Sequence, residues 1–196
     1  FYVSAPDYYP WSLDLHIINY IVQIRSDGDY GEINFEELKE IADEYCRGNL
    51  ALDLFSDDFR KAYVNKCYKY IESLVGKRND ELMRILLHNY KTWDMYALSI
   101  IYIRLIGYIF NNKYPETKFL SEFVQLNLIN ISPNPNERFS YKETINYIDD
   151  IISKENSLRD LSKTIKSITI DDESLASTIE EGNKELQKRQ KRIYNF

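Results

Sequence analysis

The chain has 196 residues, of which 44% are apolar and 29% are charged, and its formal net charge is −6 at pH 7. This length is enough to bury one substantial core, and the composition is that of a globular protein. The acidic balance argues against general binding to nucleic acid or to an anionic membrane.

Helical spacing of apolar residues dominates the first half of the chain. Only six glycines and five prolines are present, which also favours many helices and few loops. Helices are expected at residues 13–25, 34–48, 56–76 and 79–90, with N-caps at Asn34, Ser56 and Asn79.

The second half continues the helical pattern. Residues 114–131 predict one or two short helices, and residues 132–140 predict a loop. Ser140 followed three residues later by Glu143 is typical of a capping box at the start of another helix. Further helices are expected at residues 157–168 and 171–192, and no stretch alternates as a strand would. The predicted fold class is therefore all-α, a compact helical bundle.

Residues 95–110 are almost all apolar or aromatic, which predicts a helix buried on every side at the centre of the bundle. The run has 16 residues and contains Arg104. It is too short for a membrane span, which needs about 20. Asp94 stands at its start. It is either a buried carboxylate that requires a partner, or an acid stabilised by the helix dipole.

The two cysteines, Cys46 and Cys67, form no C-x-x-C pair and lie in predicted helices. This arrangement favours two free thiols, buried or half-buried, in a reducing compartment.

The stretch Ser26–Leu38 resembles a calcium-binding loop, because Glu37 fits its twelfth position. That register puts serine, glycine and tyrosine at the first, third and fifth positions, where oxygen ligands, usually carboxylates, are required. Starting at Asp27 restores two acids but puts Leu38 where the final glutamate belongs. The pattern therefore favours an acidic turn before a capped helix, and no metal site is predicted.

The sequence contains no phosphate-binding glycine motif, nucleophile elbow or zinc-protease motif. Its two histidines, His16 and His88, are far apart and lie in helical segments, where core or boundary positions are expected. No catalytic residue is predicted within this chain.

Three separated segments carry motifs that occur in the same order in one protein family. Ala5, Pro6 and Asp7 are similar to an A-P-E motif, with Asp in place of Glu. Asp94 and Tyr96 match the aspartate and the tryptophan of a D-x-W-S-x-G motif that opens a central helix.

The third segment, "SPNPNERFSYKETINYI", has the pattern P-x-x-R-x-S at Pro135, Arg138 and Ser140. Together the three segments resemble the C-terminal lobe of a eukaryotic-type protein kinase. The composition and the enlarged middle segment look most like the Ser/Thr kinases of large nucleocytoplasmic DNA viruses. The resemblance implies a kinase C-lobe-like domain at residues 1–152, with an inserted helical segment at 12–90 and a C-terminal helical extension at 153–196.

In that family the central-helix aspartate accepts hydrogen bonds from the catalytic loop, and the acid of A-P-E pairs with the late arginine. The resemblance therefore implies that Asp94 braces a catalytic loop and that Asp7 pairs with Arg138. The glycine-rich loop, the ATP-binding lysine, H-R-D and D-F-G would all precede Phe1. This chain alone would hold no cofactor, whereas a parent kinase would use ATP and Mg²⁺ on a Ser or Thr hydroxyl.

The implied partner is the missing N-terminal lobe or another protein, with no nucleic acid and no membrane. The implied location is intracellular, in the host cytoplasm or the virion. The alternative hypothesis is a non-enzymatic helical interaction or structural protein, such as a virion or assembly component. The 17 tyrosines suit that role, because tyrosine is a common interface anchor.

Overall fold

The structure of the chain, a computed structural model, describes residues 10–25, 31–111, 117–154, 159 and 162. In these ranges it contains seven α-helices and no strand, which confirms the all-α prediction. The helices are α1 (Leu13–Ile24), α2 (Phe35–Gly48), α3 (Asp57–Glu72), α4 (Asn79–Leu87), α5 (Trp93–Asn111), α6 (Lys118–Asn130) and α7 (Tyr141–Ser153). Short 3₁₀ turns lie at Leu52–Leu54, Tyr90–Thr92 and Pro135–Glu137. The helices expected at 157–168 and 171–192 lie almost wholly outside the described residues.

Three of the four predicted N-caps are confirmed. Asn34 and Ser140 each form a full capping box, and the Ser56 hydroxyl accepts from the backbone of the third helical residue. The prediction for Asn79 is wrong, because the N-cap of α4 is Arg78. Arg78 is held extended by an antiparallel bridge to Glu32, so the chain turns into the helix one residue earlier than expected.

The helix that was expected to end near Gly76 ends at Glu72, and a turn connects the two positions. Gly76 has φ of +77°, a left-handed conformation that favours glycine. Its amide donates to the Ile33 carbonyl at 2.9 Å, and this contact ties the turn to the residues just before α2.

One continuous hydrophobic core runs through α1 to α5 and includes Ile131 at the end of α6. Helix α1 packs on α2 and α4, α2 on α3, α5 on α6, and α6 on α7. The innermost apolar side chains of α1, Leu13 and Ile17, are completely buried. The described residues within 12–90, the predicted insertion, contribute to the same core as α5.

The prediction that α5 is buried on every side is wrong. Its buried apolar residues are Tyr96, Ile100, Ile103 and Ile106, whereas Leu98, Ile101 and Leu105 are 39%, 52% and 54% exposed. An apolar composition favours burial, but the number of covered faces depends on how many helices surround α5. The described residues contain no helix that is both long and apolar enough to cross a membrane.

Glu37, the acid that fits a calcium loop, is engaged by neighbouring side chains. Its Oε1 accepts hydrogen bonds from the Arg25 guanidinium at 2.7 Å and from the Tyr20 hydroxyl at 3.0 Å. Its Oε2 accepts a hydrogen bond from the backbone N–H of Asn34 at 3.0 Å. Burial raises the pKa of Glu37, but these hydrogen bonds and the charge of Arg25 outweigh it, so the pKa lies below its usual value. Residues 26–30 lie outside the described ranges, so the acidic turn stays a prediction.

Candidate functional site

The six residues that the sequence analysis selected are only partly brought together. Ala5, Pro6 and Asp7 lie outside the described residues, and so does the expected pairing of Asp7 with Arg138. Tyr96 and Arg138 are buried and in contact, with the guanidinium carbon 5.0 Å from the centre of the tyrosine ring.

The interpretation of Asp94 as a buried carboxylate is wrong. Asp94 lies in the first turn of α5 with its side chain exposed. The side of this turn that faces the core is occupied by Tyr96, which is completely buried. Within the described ranges, no hydrogen bond or ion pair to Asp94 is present. The alternative, an exposed acid stabilised by the helix dipole, fits this position.

Arg138 instead forms a buried ion pair with Asp14. Its Nη2 lies 2.8 Å from Asp14 Oδ1, and the two side chains are 1% and 0% exposed. Asp14 belongs to the first turn of α1, where the helix dipole favours a negative charge. The pair therefore joins the beginning of α1 to the loop between α6 and α7.

The remaining donors of Arg138 are almost all used. Nε donates to the Ser132 carbonyl at 2.7 Å, Nη1 donates to the Thr92 hydroxyl at 3.1 Å, and Nη2 also donates to the Pro133 carbonyl at 3.2 Å. A buried guanidinium is tolerated only when its N–H groups are satisfied in this way. Burial lowers the pKa of Arg138, but the charge of Asp14 outweighs it, so the pKa stays above its ordinary value.

The second oxygen of Asp14 is also occupied, because Oδ2 accepts a hydrogen bond from the Trp93 indole. Trp93 is the first residue of α5, so Asp14 connects α1 with α5 as well as with Arg138. We call Asp14, Thr92, Trp93 and Arg138 the Asp14–Arg138 cluster.

A second buried polar group, the tyrosine cluster of Tyr45, Tyr63 and Tyr96, adjoins the first through the Tyr96 ring. The hydroxyls of Tyr45 and Tyr63 are 2.6 Å apart, Tyr63 donates to the Ile131 carbonyl at 2.7 Å, and Tyr45 is hydrogen-bonded to Tyr96. Burial raises the pKa of all three hydroxyls, so they are neutral at physiological pH.

The contacts within the two clusters suit structural bracing. The Asp14 carboxylate is fully buried and paired on both oxygens, and burial together with its charge raises the pKa of the Tyr70 hydroxyl. Of the two histidines, His16 is buried against the rings of Trp11 and Tyr45, whereas His88 is exposed at the end of α4. The described residues contain no group of three His, Cys, Asp or Glu side chains that could hold a metal ion.

Two of the clefts on the surface lie beside the core, and the first of them borders the tyrosine cluster at Tyr63. One, of about 350 Å³, is lined by Phe59, Tyr63, Lys66, Leu128 and Glu137. The other, of about 360 Å³, lies between Leu54 and the Gly107 region of α5. Their linings are mainly apolar and contain none of the residues that the resemblance selected.

Asp14 was not among the residues predicted from the sequence, although it lies at the centre of the site. The sequence did contain a sign of its importance, because Asp14 stands near the start of the apolar run "LDLHIINYI". Asp94 stands in the same way near the start of the apolar run at residues 95–110. Tyr45 and Tyr63 were missed for another reason: a chain with 17 tyrosines gives no local sign of which ones are buried together.

No protein-family model, no curated protein and no solved structure matches this chain.

Proposed function

We propose that the chain is the C-terminal lobe of a divergent Ser/Thr protein kinase-like or pseudokinase protein, with α1 as its central helix. The observation that carries the proposal is the Asp14–Arg138 pair. Arg138 belongs to the motif that resembles P-x-x-R-x-S, whose arginine pairs with the acid of A-P-E in that family. The carboxylate that Arg138 meets here is that of Asp14, so the pair supports the proposal by placing a buried carboxylate in the first turn of a helix whose inner face is completely buried.

In this proposal the central-helix motif of the kinase family is matched to a different part of the chain than in the sequence analysis. The central-helix aspartate becomes Asp14 instead of Asp94, and Asp14 is separated from Asp7 by six residues instead of 86. The short connection is the one that kinases of this type have, so no inserted segment at 12–90 is needed. Helices α2 to α4 then belong to the lobe itself, in agreement with the core that they share with α1 and α5.

The lobe acts as a rigid support in this proposal. In this proposal ATP and Mg²⁺ are bound by the glycine-rich loop, the lysine and the D-F-G segment of a longer protein, as the resemblance implies. We expect no phosphoryl transfer from the isolated polypeptide, because the resemblance places the catalytic aspartate of H-R-D outside it.

The first experiment is the intact mass of the native protein, together with the in-frame sequence upstream of Phe1. A mass well above 23.4 kDa, with segments corresponding to H-R-D and D-F-G or recognisable substitutions of them, is expected. A native mass near 23.4 kDa would overturn the proposal.

A second experiment tests the register in the longer protein. Asp14→Asn and Asp94→Asn are compared for Mg·ATP-dependent thermal stabilisation. If Asp14 is the brace, only its substitution should reduce the stabilisation. An equal or larger loss with Asp94→Asn would assign the brace to α5.

A non-enzymatic interaction protein is the second candidate, and the outer face of α5 favours it. Leu98, Ile101 and Leu105 follow one another at helical spacing and are all exposed. Contiguous exposed apolar residues mark sites of protein association. Sedimentation of the wild type and Ile101→Glu tests a second copy as the partner. Self-association that this substitution abolishes would support the candidate, and a wild-type monomer at all concentrations would oppose it.

A further inference from the structure

Cys46 and Cys67 are neighbours in space although 21 positions separate them in the sequence. Their sulfur atoms lie 3.6 Å apart, between α2 and α3. Both thiols are free, with Cys46 half-buried and Cys67 completely buried, which confirms the predicted state and burial of the two thiols. They are the only cysteines of the chain, so neither has another intramolecular partner.

The two helices are held together on both sides of the thiol pair. On one side, Asp43 accepts from the Tyr68 hydroxyl at 2.5 Å, and on the other the hydroxyls of Tyr45 and Tyr63 are 2.6 Å apart. These contacts fix the two cysteine positions relative to each other. A disulfide has a sulfur–sulfur bond of about 2.0 Å, so the two sulfur atoms need to approach by roughly 1.6 Å, and rotation about the Cα–Cβ bonds is the movement that leaves the two helices in place.

We propose that this thiol pair is a redox modification site, at which a hydroperoxide such as hydrogen peroxide converts Cys46 and Cys67 into an intramolecular disulfide. Cys46 reacts first, because its side chain is partly accessible. Its sulfur attacks one peroxide oxygen, the O–O bond breaks, one water leaves, and Cys46 becomes a sulfenic acid.

Cys67 then resolves this intermediate. Its sulfur attacks the Cys46 sulfur, the S–O bond breaks, and the departing hydroxide takes the Cys67 proton and leaves as a second water. In total, two thiols and one peroxide give one disulfide and two waters. Burial raises the pKa of the Cys67 thiol, and the neighbouring Cys46 raises it further, so Cys67 is a poor first target. Its role in the second step rests on geometry, because its sulfur lies 3.6 Å from the Cys46 sulfur.

The test uses the reduced full chain in its folded state, treated with hydrogen peroxide. The remaining thiols are alkylated in denaturant, and the peptides are mapped without reduction. We expect both thiols to be lost together, and a cross-linked peptide that joins Cys46 to Cys67 with a mass about 2 Da below the sum of its reduced parts. The yield should not depend on protein concentration. Two alkylatable thiols after treatment, cross-links between chains only, or oxidised Cys46 without a cross-link would each overturn the proposal.

Two controls test whether the folded structure, and not the short distance between the cysteines along the chain, brings the two thiols together. The wild type unfolded in urea should form the disulfide at least about tenfold more slowly, because the folded helices raise the effective concentration of one thiol near the other. Equal rates would refute a site built by the fold. In Cys67→Ser, the Cys46 sulfenic acid has no thiol to resolve it, so it should persist and react with dimedone. If this variant formed no more dimedone adduct than the wild type, the proposed order of the two steps would be wrong.

Discussion

The guanidinium of Arg138 and the carboxylate of Asp14 lie 2.8 Å apart across 124 residues of sequence, and neither side chain is more than 1% exposed. Desolvating two such charges is costly, and their attraction compensates only when the other hydrogen-bonding groups are satisfied. That condition holds here through Trp93, Thr92 and two carbonyls of the loop before Arg138. The pair therefore fixes the relative position of three distant segments.

Removing one member of this pair should strongly destabilise the fold. For Asp14→Asn we expect a loss of about 3–5 kcal/mol in the free energy of unfolding, because Arg138 is left buried without its counter-charge. Urea denaturation measures the loss. The matched control is Asp80→Asn, whose partner Arg84 is 77% exposed, and it should change stability by no more than about 1 kcal/mol. Equal effects of the two substitutions would contradict the assigned role of Asp14.

The tyrosine cluster predicts a different cost for the loss of a single hydroxyl. Tyr63→Phe removes the donor to the Ile131 carbonyl and a partner of Tyr45, with almost no change of volume. We expect a loss of about 1–3 kcal/mol, since buried polar groups are left unsatisfied. Tyr141 is 64% exposed, so Tyr141→Phe should leave the free energy of unfolding unchanged in the same denaturation experiment. A silent Tyr63→Phe would mean that water or another group replaces the hydroxyl.

The Arg25–Glu37 pair predicts a pH-dependent contribution to stability. The folded-state pKa of Glu37 is lowered, so the folded protein binds this proton more weakly than the unfolded chain does. The contribution is therefore fully present above the unfolded pKa of about 4.3 and is lost as the pH falls through the folded pKa.

The measurement is the free energy of unfolding of the wild type minus that of Glu37→Gln, determined at a series of pH values from neutral to acid. We expect a difference of about 1–2 kcal/mol at neutral pH that shrinks below about pH 4. Glu36→Gln, at the exposed neighbouring position, controls for the loss of one negative charge. A difference that grows on acidification would have the wrong sign for this pair.

The two faces of α5 predict opposite responses of adjacent isoleucines. Ile100 is completely buried, and Ile100→Ala should cost about 2–5 kcal/mol because it leaves a cavity. Ile101 is 52% exposed, and Ile101→Gln should stay within about 0.5 kcal/mol. Thermal or urea unfolding of both variants suffices. A large loss for Ile101→Gln would mean that its face is covered, as the sequence alone had predicted.

Local signals were sufficient for most helix positions. The N-cap at Asn34 and the capping box at Ser140 were predicted from local patterns, because a cap satisfies amide groups within one turn of the same segment. The failure at Asn79 has a non-local cause: the bridge between Arg78 and Glu32 joins segments that are 46 positions apart.

The sequence by itself determined that the protein is helical, where its described helices lie, and that Arg138 belongs to a motif with an expected carboxylate partner. Only the tertiary structure decided that Arg138 pairs with Asp14, that Asp94 is exposed, and that one apolar face of α5 is exposed. The partner expected from the sequence, Asp7, lies outside the described residues, so that pairing stays a prediction. Asp14 and Asp94 look alike in the sequence, since each stands in the first turn of an apolar helix. Which of them becomes buried depends on how segments more than 100 residues apart pack together, and helical periodicity contains no information about that choice.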